Sequence, residues 1–195
     1  MRCFIGLPVP KEAGRALLQG VPDGAGRRLP LADLHLTLAF LGERELSWTQ
    51  TLCRRLEATL EGVQPLSLKL SGGGLFPPGG MPLGGTPQRS SPSRGAPSSG
   101  GRPWAARAFP SPALMALHKR VWRLLEDLGM EREERGFLPH VTLARGRGRL
   151  ATTRAGERVK GPPEDHIEFD VHEVILYESR HGYQVRWRQS LKSRL

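Results

Sequence analysis

Two short stretches of the 195-residue chain could do chemistry: LHLTLAF at residues 34–40 and PHVTLAR at residues 139–145. Both spell His-x-Thr-Leu-Ala. In a chain with six histidines, two such matches should arise by chance less than about once in a thousand sequences. A lone His-x-Thr reads as a polar pair on a half-exposed strand; the repeat asks for another explanation. In an extended strand, residues i and i+2 share one face about 6.6 Å apart. His35 therefore points with Thr37, and His140 with Thr142. Leu36, Leu38, Val141 and Leu143 turn the other way, into a core. Ala39 and Ala144 extend the polar face with a minimal side chain, which leaves room for a ligand.

If the two strands face each other, two imidazoles meet over one cleft. Near neutral pH one imidazole can act as a general base and the other as a general acid. The two threonine hydroxyls can donate to non-bridging phosphate oxygens. Arg145, directly after the second motif, can add a guanidinium to the same anion. This set suits a phosphodiester whose leaving oxygen gains a proton while an attacking water loses one. It calls for no metal and no cofactor.

The elements that must hold these residues follow from periodicity. Arg2–Leu7 is apolar and stops at Pro8, a strand. Lys11–Leu18 is a short helix. Leu34, Leu36, Leu38 and Phe40 alternate with His35, Thr37 and Ala39, and His140–Ala144 behaves alike, so both motifs ride strands. Ser47 and Gln50 form a capping box that opens a helix with Leu52, Leu56 and Leu60 on one stripe, ended by Gly62. Leu66, Leu68 and Leu70 alternate as a strand. Ser111 caps a second long helix with Pro112 at its first position, an apolar face at Leu114, Leu117, Val121, Leu124 and Leu128, and Gly129 at its end. His172–Tyr177 and Tyr183–Arg188 flank turn residues and form a hairpin. Residues 76–110, rich in Gly, Pro, Ser and Arg, bury too little apolar surface to offset their ordering entropy. They are expected to be a mobile insertion within a single domain of residues 1–195, or the trace of a shifted reading frame.

Composition bounds the function. The net charge is +10 and the pI near 10.7, which favours a polyanion such as RNA or DNA. Only five of the 29 basic residues are lysine, and a GC-rich gene would give the same arginine bias without a nucleic-acid partner. No apolar run reaches the length of about 20 residues that a membrane span needs. The N-terminus reads as a first strand rather than a signal peptide. Cys3 and Cys53 stand apart with no metal-type spacing, which points to a reduced, cytoplasmic setting. His118, beside Lys119 and Arg120, is expected on a solvated helix face. His166 and His172 lack neighbouring cysteines and do not read as a metal site, and Gly72–Gly74 lacks the Gly-Lys-Ser/Thr of a phosphate loop.

The motifs resemble those of the two-histidine (2H) phosphoesterase superfamily, and within it the RNA 2′,3′-cyclic phosphodiesterase or 2′–5′ RNA ligase (LigT/ThpR) family. The matching stretches are RCFIGLPVP, DLHLTLAFLGE, SPALMALHKRVWRLLEDLGM, FLPHVTLARGR and FDVHEVILYES. The resemblance implies a bilobal α+β fold, with two antiparallel sheets related by a pseudo-twofold axis and helices on the outer faces. It implies His35 and His140 as catalytic, in the order acid and base, and Thr37 and Thr142 as phosphate-holding. The implied reaction is hydrolysis of RNA 2′,3′-cyclic phosphate ends to 2′-phosphates, with weak, reversible 2′–5′ joining of RNA ends. The implied partners are such RNA ends or nucleoside cyclic phosphates, met by a monomer. The alternatives are a non-catalytic RNA-end-binding protein and a 2H phosphodiesterase for another cyclic phosphate or RNA 3′ end. Relatives carry a short apolar strand where residues 76–110 stand, so one sheet is expected to lack a strand.

Overall fold

The computed structural model describes residues 1–76, 103–132, 136–145 and 166–192. Its frame is a sheet built from alternating strands. In β1 (Arg2–Pro8), Cys3, Ile5 and Leu7 enter the main core, while Phe4 turns to the opposite face. α1 (Lys11–Gln19) follows, then the two-residue β2 (Arg27–Arg28) and β3 (His35–Glu43). α2 (Leu46–Leu60) buries Leu52, Leu56 and Leu60. Each such leucine contributes roughly 1.5–3 kcal/mol of transfer free energy. β4 (Leu66–Leu75), β5 (Trp104–Ala108), α3 (Pro112–Asp127) and β6 (His140–Arg145) come next. β7 (Ile167–Val171), β8 (Glu173–Ser179) and β9 (Tyr183–Ser190) close the order.

All strand pairings are antiparallel, in the order β7-β4-β5-β6-β3-β1-β8-β9, with β2 beside β6. The two expected sheets are the halves of this one curled sheet. They meet at β3 and β6 through a single register pair, Leu36 with Val141. Each half contains the same unit. β1–α1–β3 and β5–α3–β6 are both strand–helix–strand, and in both the second strand opens on a motif histidine. The partners correspond as well: Pro8 lies opposite His35 and Gly6 opposite Thr37, while Arg107 lies opposite His140 and Ala105 opposite Thr142.

Three expectations change. β5 lies inside the stretch read as an insertion, and it fills the middle of its half-sheet, so no strand is missing. Its Trp104, Ala105 and Ala106 are at most 2% exposed. Residues 77–102, the bulk of the expected insertion, lie outside the described residues. The capping box at Ser47 does not form, because α2 begins two residues earlier than that cap requires, with Glu45 as N-cap. Ser47 is then already helical, and the Thr49 hydroxyl donates back to Leu46 O at 2.8 Å. By contrast, Ser111 caps α3 as expected, its Oγ accepting from Leu114 N at 3.2 Å. The third change concerns His118, which is 8% exposed and stacks on Phe137 with ring centroids 3.7 Å apart.

Candidate active site

The two motif strands present matching imidazoles. His35 Nδ1 donates to Asp33 O at 2.7 Å, and His140 Nδ1 donates to Leu138 O at 2.8 Å. A carbonyl only accepts, so Nδ1 carries the proton in each neutral ring and the Nε2 lone pair is left free. The same two-residue back-bond occurs in both halves. In the first half the accepting carbonyl belongs to the last residue of a 3-10 turn, Leu31–Asp33, with Leu34 extended between it and the strand.

The rings differ in surroundings. His35 is 7% exposed. Phe4 lies 4.5 Å from it, the edge of Tyr183 at 4.9 Å and Tyr177 at 5.5 Å, between centroids. Gly6 makes this possible: a Cβ there would come within 3.1 Å of Leu36 O and 3.4 Å of His35 and Tyr177. Burial pushes the Tyr177 hydroxyl up to about 12, with Glu173 adding to the effect, so it stays protonated. His140 is half-buried, with Phe76 stacked on it at 3.9 Å.

Burial also pushes His35 down to about 4, against the Asp33 hydrogen bond that favours the charged ring. Arg145 and then His140 lower it further. His140 is lowered by burial, and again by Arg145. One guanidinium therefore lowers both imidazoles, and His140 lowers His35 as well. Both rings are neutral at pH 7.

Thr37 and His140, from opposite halves, line one cavity of about 600 Å³. Ala39 lines it too, but the register irregularity at Leu38 pairs Ala39 with Ile5 and sets it in the core rather than on the face of Thr37, contrary to expectation. His35, Thr142 and Arg145 stand outside that lining. Thr142 is half-buried at the centre of β6, opposite Ala105. Arg145 ends β6, exposed, opposite Arg27. Sequence reasoning missed Phe4, Tyr177, Tyr183 and Phe76, because their approach to the histidines depends on strand register. It also missed His118, which lines the same cavity as Thr37. Among the described residues, no group of three or more His, Cys, Asp or Glu is placed to hold a metal ion.

A curled antiparallel sheet whose halves each present a His-x-Thr strand is the two-histidine phosphoesterase architecture. The profile of the 2′-5′ RNA ligase superfamily matches residues 18–182, and the chain belongs to that family. It is 29% identical over 187 residues to a Geobacillus stearothermophilus protein named RNA 2′,3′-cyclic phosphodiesterase, covering 90% of this chain and 51% of that one. The chain thus spans about half the length of the curated relative it matches. Among solved structures it is similar to TT0787 of Thermus thermophilus (TM-score 0.65, 26% identity, 99% of both chains). It shares its fold with Escherichia coli LigT solved with 3′-AMP (TM-score 0.68, 24% identity, 98% of both chains).

Proposed function

We propose that the protein hydrolyses RNA 2′,3′-cyclic phosphate ends to 2′-phosphates by general acid–base catalysis with His35 and His140. The observation that supports this is the paired Nδ1 back-bond, which leaves Nε2 of each ring available for proton transfer, while the Arg145 charge lowers both rings. One imidazole takes a proton from water as its oxygen attacks phosphorus. The P–O3′ bond breaks, and the other imidazole delivers a proton to O3′. Thr37 and Thr142 hold non-bridging oxygens, and the Arg145 guanidinium stabilises the added negative charge. Both proton transfers are served by side chains, so the reaction calls for no metal. With a 5′-hydroxyl in place of water, the same displacement breaks P–O3′ and leaves a 2′–5′ phosphodiester, which is 2′–5′ ligation.

The resemblance orders the pair as His35 acid and His140 base. A depressed ring can serve as acid once a phosphate anion binds beside it, because an opposite charge within about 4–6 Å favours the protonated form. The name of the Geobacillus stearothermophilus relative, and the family's, support the substrate class. We assign the activity to a cytoplasmic monomer.

The test is a short RNA ending in a 2′,3′-cyclic phosphate, incubated with the protein in EDTA, with the product identified. A 2′-phosphate is expected. A 3′-phosphate product implies the other bond and another specificity, and tight RNA binding without turnover turns the protein into an RNA-end binder. A 3′-thio cyclic substrate sorts the roles: its sulfur leaves without a proton, so it rescues the acid variant and not the base variant.

A further inference from the structure

The cavity shared by Thr37 and His140 is much larger than a phosphate needs. Its far wall belongs to neither motif. There the buried His118 ring lies parallel to Phe137, at 3.7 Å and 10°, with Trp122 beside it. Trp122 is fixed by its Nε1–H, which donates to Leu38 O at 3.3 Å. The rim is apolar and open: Phe40 is 55% exposed, Leu138 48% and Met115 39%. These are three of the six large hydrophobic residues exposed among the described residues, and all three line this one cavity. Arg132 is the charged side chain in the lining, half-exposed and only loosely paired with Glu126 at 3.8 Å. No carboxylate lines it.

An exposed apolar rim, an aromatic wall and a cation suit a flat ring attached to an anionic backbone. We infer that this cavity is a second nucleotide subsite, which takes the base of the nucleotide preceding the cyclic end. The inference rests on the RNA-end reading for its substrate, and the wall supplies the rest. Base stacking on aromatic side chains is sequence-tolerant, and the lining offers few fixed donors or acceptors, so the subsite reads length rather than sequence. His118 stays neutral, held to about 4 by burial and then by Arg132, so it joins the wall as an aromatic ring. The consequence is a preference for a dinucleotide ending in a cyclic phosphate over the corresponding mononucleotide.

The test compares the intact protein with Phe40→Ala and Met115→Ala, both on the exposed rim where truncation leaves the core intact. Val185→Ala, on the exposed part of β9, serves as the remote control. Two readouts are taken: kcat/KM on a dinucleotide and on a mononucleotide cyclic phosphate, and quenching of 2-aminopurine placed at the 5′ position of a dinucleotide 2′-phosphate. The expected result is a dinucleotide preference that Phe40→Ala reduces about tenfold, Met115→Ala less and Val185→Ala not at all, with quenching reduced in parallel. Equal use of the two substrates by the intact protein, with no quenching, overturns the subsite. Quenching that depends on Phe40 in a protein without turnover sinks the catalytic reading and keeps the subsite.

Discussion

The two halves of the molecule repeat one unit and equip it differently. In the β1–α1–β3 half, a nine-residue helix with no side-chain N-cap sits between the strands, and the histidine ends up caged by Phe4, Tyr177 and Tyr183. In the β5–α3–β6 half, a 16-residue helix capped by Ser111 does the joining, and the histidine stays half-buried against Phe76. What is common is the Nδ1 back-bond and the residue opposite threonine, Gly6 or Ala105, each as small as the strand permits. The difference shows which features chemistry constrains and which it leaves to packing. Orientation of the imidazole and space above the threonine are held in duplicate, while helix length and ring environment diverge.

The strongest way to break the comparison is to remove each imidazole in turn. His35→Ala and His140→Ala should each lower kcat by about 10²–10⁴-fold, with circular dichroism unchanged. A large loss in one half alone would show that only one copy is catalytic. Thr37→Ala and Thr142→Ala should each cost about 1.5–3 kcal/mol of transition-state stabilisation, read as kcat/KM on the cyclic end. Unequal losses would rank the halves in holding the phosphate. Gly73→Ala probes the second half alone: a Cβ there would stand 2.3 Å from Trp104 Nε1 and 3.3 Å from Leu143. The overpacking should cost about 1–3 kcal/mol in urea denaturation, and an unchanged midpoint would show that β4 can move away from β5.

The smallest expected effects depend on pH. His35 and His118 are held at about 4 and His140 below its ordinary 6.5. The unfolded chain binds these protons first, so stability is full above about pH 6.5 and declines as pH falls toward 4. Replacing His118 by Phe should flatten that decline in a Tm-against-pH series. By the same shifts, the kcat/KM bell should centre below pH 6.5, and a centre above pH 7 would contradict neutral histidines in the free protein.

The two motif strands were legible because strand alternation is short-range: His35 and Thr37, or His140 and Thr142, share a face whatever the rest of the chain does. Helix α3 was legible from Ser111-Pro112 and its leucines. Strand β5 was not, because Trp-Ala-Ala-Arg-Ala carries little strand preference and follows a long run of glycine, proline and serine. Its strand conformation comes from β4 and β6 on either side, a tertiary effect. His118 was misjudged by its neighbours Lys119 and Arg120, which point elsewhere on the helix. Its spacing of four from both Leu114 and Trp122 carried the true signal of a buried face. The aromatic cage of His35 needed the β1–β3 and β1–β8 registers, which no local pattern encodes.

One backbone bond gives the second half an unusual freedom. Phe76 N donates to Pro103 O at 2.9 Å, so β4 and β5 are already stitched together on both sides of the 26 residues that separate them in the chain. A tight two-residue turn could span the same gap, and closing so short a loop costs about 2 kcal/mol less chain entropy than closing the long one. The ladder that carries His140 is therefore indifferent to the length of what hangs from it. That junction is a natural port for grafting another peptide or a whole domain without disturbing the strands that carry His35 and His140.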